Sequence, residues 1–320
     1  REGFNYTATR NARFGPMVAF PPANPKVVTA QTSADANILR VIRQVHFDEK
    51  SSSTLDLVLC VNGIPVATME LKTDNTQAVA AAKKQYRVDR IPSVSRRVLL
   101  PGRALVHFAV SNEEVYMTTE LKGSETRFLP FNKGFNDGAG NPPVPDKSET
   151  HYLWDEVLER DAWLRILRDF AVFSSTGPKS GKLIFPRYHQ FRAVERIAGD
   201  VTEHGPGRKY LIQHSAGSGK TLTIAWLSHR LIRHYQPDGK KTFDSIIVVT
   251  DRNALDTNVR HDIQMLGGSM DLIIAVGERS GAKSDQLARA IEEGGHIITC
   301  TLQTFPYVLD KLQQADLGGR

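Results

Sequence analysis

The sequence predicts an α/β protein in two domains, a mixed sheet with helices followed by a parallel sheet. Three observations lead there. The chain has 320 residues, 40% hydrophobic and 24% charged, which leaves room for two cores of ordinary size and excludes a disordered or fibrous protein. Its first half carries apolar runs folded about turn residues, and its second half alternates strand-like with helix-like segments.

Taken in order, Ile38, Val41, Ile42 and Val45 recur at helical spacing and predict a helix over residues 35–45. Residues 55–71 switch to strand-like runs broken by Asn62-Gly63, the pattern of a hairpin. Residues 78–86 are Ala-rich and helix-prone, and residues 104–110 and 115–121 flank Ser111-Asn112-Glu113-Glu114 as a second hairpin. A Gly-, Pro- and Asn-rich loop follows between Phe131 and Ser148, and Trp154, Leu158, Leu164 and Leu167 then mark a helix over residues 152–170. Residues 174–182 read as a linker. Beyond it, strands are predicted at 210–213, 245–250, 272–276 and 296–301, with helices such as 222–234 between them. That alternation implies a parallel sheet.

No apolar run approaches the roughly 20 residues needed to span a bilayer, and Arg1-Glu2-Gly3-Phe4 lacks the layout of a secretion signal. Cys60 and Cys300 are the only cysteines, so neither a disulfide framework nor a thiolate metal site is expected, and a cytoplasmic protein fits. The formal charge is +6, and seven basic residues between Lys83 and Arg103 oppose the single acid Asp89. Such a stripe suits either phosphate neutralisation or a solvated face. Arg96 and Arg97 are its candidate DNA contacts. The chain lacks an initial Met and stops soon after a strand and a helix-like segment, which reads as a piece of something longer.

His214-Ser215-Ala216-Gly217-Ser218-Gly219-Lys220-Thr221 follows an apolar run and opens a helical one, the context of a phosphate-binding loop. Glycines let backbone N–H groups crowd around phosphates. Lys220 would reach the terminal phosphates and the Thr221 hydroxyl would ligate Mg²⁺, while His214 stands where the G-x-x-x-x-G-K-[ST] pattern has its first Gly. The candidate nucleotide-binding set is Ala216, Gly217, Ser218, Gly219, Lys220 and Thr221.

Metal-assisted phosphodiester cleavage needs carboxylates to hold Mg²⁺ beside a cation that steadies the developing charge. Asp56, Glu70 and Lys72 supply that set, with Asp56 and Glu70 as the metal ligands. E-x-K alone is common, and Glu120-Leu121-Lys122 is a second copy. Hairpin register separates the two. A turn of Asn62-Gly63 alone would place Asp56 opposite Met69, on the face away from Glu70. A three-residue loop of Asn62, Gly63 and Ile64, or a bulge, places Asp56 opposite Glu70 and Val58 opposite Thr68. Leu55, Leu57, Leu59, Ala67, Met69 and Leu71 then share an apolar underside. The second copy has no carboxylate on its partner strand and is assigned to the surface.

These residues resemble the PD-(D/E)xK nuclease pattern, and the junction to a phosphate loop is similar to the restriction subunit of type I restriction-modification enzymes. Arg43-Gln44-Val45-His46-Phe47, Leu55-Asp56-Leu57-Val58, Met69-Glu70-Leu71-Lys72, Leu105-Val106-His107-Phe108 and residues 213–221 carry the resemblance. It implies a restriction-endonuclease-like domain over residues 1–177, a linker at about 171–183, and an incomplete RecA-like P-loop domain of a superfamily-two helicase over residues 184–320. It further implies that Gln190, in Arg187-Tyr188-His189-Gln190, reads the adenine edge. Thr250-Asp251-Arg252 and residues 299–304 resemble DNA-contacting motifs, which makes Arg252 a third DNA-binding candidate.

There are two departures from the pattern. Gln85 and Tyr86 are adjacent where related nucleases space such residues four apart, and no Asp-Glu-x-His segment precedes Arg320. The expected activity is that of a type I site-specific deoxyribonuclease, which moves duplex DNA at the expense of ATP and cuts it with Mg²⁺. Its expected partners are DNA and specificity and methyltransferase subunits. This stretch alone should hydrolyse ATP poorly. The alternative is an ATP-dependent helicase or translocase whose nuclease-like domain binds DNA without cutting it.

Overall fold

A computed structural model of the chain describes residues 4–5, 13–14, 17–73, 78–174, 181–251, 253–267, 273–275, 286, 289–291, 294 and 297–303. They fall into two units: Arg1–Pro22, Val27–Ala171 and Leu183–His189 in one, and Ala23–Lys26, Val172–Lys182 and Gln190–Arg320 in the other.

In the first unit, helix α1 (Val28–Asp35) precedes a six-stranded sheet. Its strands are β1 (Leu39–His46), β2 (Thr54–Val61), β3 (Ile64–Leu71), β4 (Val106–Val110), β5 (Val115–Thr118) and β6 (Leu129–Pro130), side by side in that order. Neighbours are antiparallel except β3 and β4, which run parallel because helix α2 (Val79–Val88) returns the chain between them.

The helix expected over residues 35–45 is instead the edge strand β1, and the helix lies one segment earlier. Val41 and Ile42 are 58% and 42% exposed, so their helical spacing marks no buried face. Their β-branched side chains favour the extended ladder with β2.

Helix α2 covers one face of the sheet through a cluster of Val58, Cys60, Val79, Ala82, Tyr86 and Ala109, which Leu55, expected on the underside, also joins. The opposite face is closed by aromatics. The Phe108 ring lies 5.5 Å from that of Phe131 and 6.3 Å from that of Phe185, which in turn meets Trp163. The helix predicted over residues 152–170 is divided into π-helical turns Leu153–Val157 and Ile166–Phe170 on either side of α3 (Arg160–Arg165). Glu159 causes the division, because its carboxylate accepts the Asp161 and Ala162 N–H groups and starts a new helix.

The second unit contains α4 (Tyr188–His204) from Gln190 onward, α5 (Lys220–Ile232), β7 (Ile246–Thr250), α6 (Asn253–Gly267), β8 (Ile273–Ala275) and β9 (Ile297–Thr301). Among the described residues, these strands form a parallel sheet in the order β7-β9-β8, with α5 and α6 packed on it through Ala225, Ile232, Val248, Val259, Ile263 and Ile297. Residues 210–213, expected as a fourth strand, form none. No described strand pairs with them, and Leu211 is 95% exposed. Extended backbone needs a neighbour to satisfy its ladder groups, and apolar spelling alone does not supply one. No helix among the described residues is long and apolar enough to cross a membrane.

Candidate active site

The β2–β3 hairpin closes on two residues. Asn62 and Gly63 have φ of 50° and 81°, the paired positive values of a type I′ turn, and Val61 faces Ile64 across it. The extra residue lies further up. Cys60 pairs with Pro65 but Leu59 pairs with Ala67, so Val66 is a β-bulge that shifts the register by one. Pro65 has no N–H to give the ladder, which is the reason the ladder breaks beside it. Val66 is not wasted, since its carbonyl accepts the Leu105 N–H at 2.9 Å. The three-residue loop is therefore corrected to a two-residue turn plus a bulge. Beyond it Val58 faces Thr68 and Leu57 faces Met69.

This register brings Asp56 to the end of β3, where its Oδ2 accepts the Leu71 N–H at 2.8 Å and its Oδ1 accepts Gln44 Nε2 at 3.2 Å. Glu70 is fully buried, and its Oε1 accepts Arg90 Nε at 2.7 Å. Arg90, at the foot of α2, also gives Nη2 to the Thr54 carbonyl at 2.8 Å and lies over the Phe47 ring. Burial pushes the Glu70 carboxyl up to about 7, opposed by Arg90 and Lys72 and reinforced by Asp56. Asp56 and Lys72 thus both act electrostatically on Glu70.

A cavity of about 560 Å³ opens there, lined among others by Ser52, Thr54, Asp56, Gln85, Arg90 and Arg96. Buried Glu70 Oε2 and Gln85 Oε1 have no hydrogen-bond partner. Partnerless buried oxygens are costly unless a donor or cation meets them. Two carboxylates with water and phosphate oxygens are the usual holders of Mg²⁺, so this oxygen-only set fits it. Among the described residues no group of three or more His, Cys, Asp or Glu forms a rival site.

Behind Glu70, Thr68 Oγ1 lies 2.8 Å from Tyr86 Oη and 2.7 Å from His107 Nδ1, and all three residues are closed to solvent. Burial depresses the His107 imidazole to about 3, so it stays neutral. The adjacent pair Gln85-Tyr86 thus divides its work, with Tyr86 tying α2 to the sheet and Gln85 at the cavity wall.

The basic stripe is spent mainly on structure. Lys83 caps the Tyr116 ring, Arg87 lies over Phe128, and Arg90 pairs with Glu70. Arg96 Nε pairs with Asp48 at 2.8 Å, and its Nη1 reaches the Asp89 and Ile91 carbonyls. Lys84, Arg97 and Arg103 are exposed. Arg252 lies outside the described residues. Glu120 and Lys122, the second E-x-K, pair with each other at the surface at 2.9 Å.

In the second unit, Gly217 and Gly219 take φ of 71° and 83°. The φ of 83° favours glycine at Gly219, and a Cβ there would also stand 2.5 Å from Gln190 Nε2 and displace that side chain. That nitrogen donates to the Ser218 and Gly219 carbonyls at 3.3 and 3.0 Å, so Gln190 braces the loop. Lys220, the first residue of α5, gives its ammonium to the His214 and Ser215 carbonyls and has no carboxylate partner among the described residues, an arrangement that suits phosphate. Thr221 is half-buried in the first turn of α5, and Ala216 is exposed. Glycine freedom, a helix N-terminus and a lysine free of acids fit a nucleotide triphosphate tail.

Sequence reasoning missed Arg90, Gln44 and the Thr68–His107 pair. Arg90 was visible only as one of seven basic residues, and nothing in its spacing marked it as the partner of Glu70.

A mixed sheet bearing a polar cavity and a separate glycine-rich loop at a helix N-terminus characterise the two units. Comparison with known proteins agrees. Residues 26–126 match the family model of the type I restriction enzyme R protein N terminus, and residues 189–316 match that of the SWI2/SNF2 ATPase. A protein of Methanocaldococcus jannaschii named as the type I restriction enzyme MjaVIIIP endonuclease subunit is 25% identical over 72% of this chain and 21% of its own length. The type I restriction enzyme HindI endonuclease subunit of Haemophilus influenzae is 25% identical over 78% of this chain and 23% of its own. The SauMSSORF170P endonuclease subunit of Staphylococcus aureus is 23% identical over 88% and 30%. The resemblance to type I restriction endonuclease subunits thus extends over most of the chain, which spans less than a third of the length of these relatives.

Proposed function

We propose that this chain is the nuclease domain and the opening part of the ATP-driven motor of a type I restriction enzyme. The observation that carries the reading is the Val66 bulge, because it sets a register in which Val58 faces Thr68 and Leu57 faces Met69, from which Asp56 reaches the Leu71 N–H next to Glu70. The motor part is read as belonging to a RecA-like P-loop domain. Duplex DNA is the substrate, and specificity and methyltransferase subunits would choose the site.

In this mechanism Asp56 and Glu70 Oε2 hold Mg²⁺, which when bound supplies Lewis acidity at the phosphate and a more acidic water. Lys72, two residues beyond Glu70, would offset charge developing on the phosphate. Burial of Glu70 keeps bulk water from competing. Lys220 and Thr221 take the nucleotide phosphates and their Mg²⁺, and Gly217 and Gly219 hold the loop open for them. Of the proposed DNA contacts among the described residues, Arg96 and Arg97, the exposed one is Arg97.

The deciding experiment compares Asp56→Ala and Lys72→Ala with the wild type in the full-length protein. Loss of strand cleavage with ATP turnover retained supports the reading. Retained cleavage excludes it. The buried Glu70–Arg90 pair also suits a second reading, a nuclease-like fold used only to bind DNA, which predicts that the wild type itself does not cut.

A further inference from the structure

We infer that Gln44 and Arg90 are positioning residues that set the spacing of Asp56 and Glu70 before a divalent cation arrives, an inference that rests on the metal-dependent reading above. A continuous chain of hydrogen bonds joins the two carboxylates. Gln44 Nε2 donates to Asp56 Oδ1 at 3.2 Å, and Gln44 Oε1 accepts the Thr54 hydroxyl at 2.7 Å. The carbonyl of the same Thr54 accepts Arg90 Nη2 at 2.8 Å, and Arg90 Nε donates to Glu70 Oε1 at 2.7 Å. Each carboxylate is thereby held by a neighbouring side chain, with Thr54 and Arg90 of the cavity wall linking the two.

The grip on Asp56 has a backbone cost. Gln44 sits inside strand β1 with φ of 50°, a left-handed conformation that a side chain like glutamine rarely adopts. The ladder pairs Arg43 with Leu57 and Val45 with Leu55 but skips Gln44 and Asp56 between them. Local strain that the rest of a sheet tolerates collects where side chains must be aimed. Here the aim is at Asp56.

The grip on Glu70 is selective between its two oxygens. Arg90 takes Oε1, and Oε2 is left buried without a partner. A fork anchored at Thr54 on one side and Glu70 on the other cannot swing, so the free oxygen keeps one direction. Partners that orient metal ligands in this manner typically govern affinity 10–100-fold.

The test is calorimetric binding of Mn²⁺ and Mg²⁺ to the full chain without DNA, alongside the thermal midpoint. Gln44→Gly removes the side chain and relieves the left-handed backbone, so affinity should fall about tenfold or more while the midpoint holds or rises. Gln44→Asn keeps an amide one methylene too short and should behave alike. Arg90→Lys keeps the charge but loses the fork, and should also weaken binding about tenfold.

Wild-type affinity in Gln44→Gly or in Arg90→Lys overturns the proposal for that residue. So does a loss of affinity matched by a lowered midpoint in both Gln44 variants, which marks a structural role. Unchanged metal binding in Asp56→Ala and Glu70→Ala would sink the metal site itself, a failure distinct from that of the bracing.

Discussion

Glu70 Oε1 and Arg90 Nε lie 2.7 Å apart, with side chains 0% and 7% exposed, yet the carboxyl is lifted to about 7 rather than lowered. Burial outweighs the pair, and the Glu70 carboxyl is held above its usual value of 4.5. A folded pKa above the unfolded one means stability that is full below about pH 4.5 and is lost as pH rises through about 7. A cation must displace the same proton. Apparent Mg²⁺ affinity should therefore weaken about tenfold for each pH unit below about 7, with proton release detectable as buffer-dependent heat. An affinity flat across that range would show that Glu70 is not a ligand.

Deleting Val66 removes the bulge and returns β3 to the register of the bare Asn62-Gly63 turn. Glu70 would then turn to the face of Phe108, and Met69 toward α2. Loss of metal binding together with cooperative unfolding at a much lower temperature is expected, whereas Val66→Ala keeps the bulge and should keep binding.

Thr68→Val leaves Tyr86 Oη and His107 Nδ1 buried without the hydroxyl they share. Unsatisfied buried groups cost about 1–3 kcal/mol each, so urea denaturation should show a loss of roughly 2–5 kcal/mol. Tyr86→Phe removes one bond and leaves Thr68 its histidine, for about 1 kcal/mol.

Gly219→Ala strains a φ of 83° and drives a methyl to within 2.5 Å of Gln190 Nε2. Binding of a fluorescent ATP analogue should fall at least about tenfold, the equivalent of roughly 1.4 kcal/mol or more. Gln190→Ala in the same background should recover part of the loss by making room.

Arg96 and Arg97 should separate in salt titrations of DNA binding. Arg97→Ala, at an exposed position, should reduce the slope of log affinity against log salt by about 1. Arg96→Ala breaks the Asp48 pair and should instead lower the melting temperature.

The hairpin shows how far residue order carries. The demand that Asp56 and Glu70 share a face was legible as a parity problem, but turn and bulge solve it equally well on paper. The hint was Pro65, which cannot serve a continuous ladder. Strand β1 was misread because it is an edge whose apolar side chains remain exposed, so their spacing reports no buried face. Residues 210–213 were overread because strand formation depends on a partner that composition does not reveal. Arg90 was hidden for a related reason, since an ion pair across elements leaves no trace in local spacing.

The one-residue offset at Val66 also governs how insertions can be accommodated. Lengthening or shortening this hairpin by an even number of residues keeps Glu70 on the face toward α2, while an odd change turns it to the other face unless a second offset restores it. Relatives whose hairpins differ in length should accordingly differ in steps of two, or carry an additional kink opposite β2. Counting residues between the acidic positions thus becomes a quick screen for which of them retain a working pair.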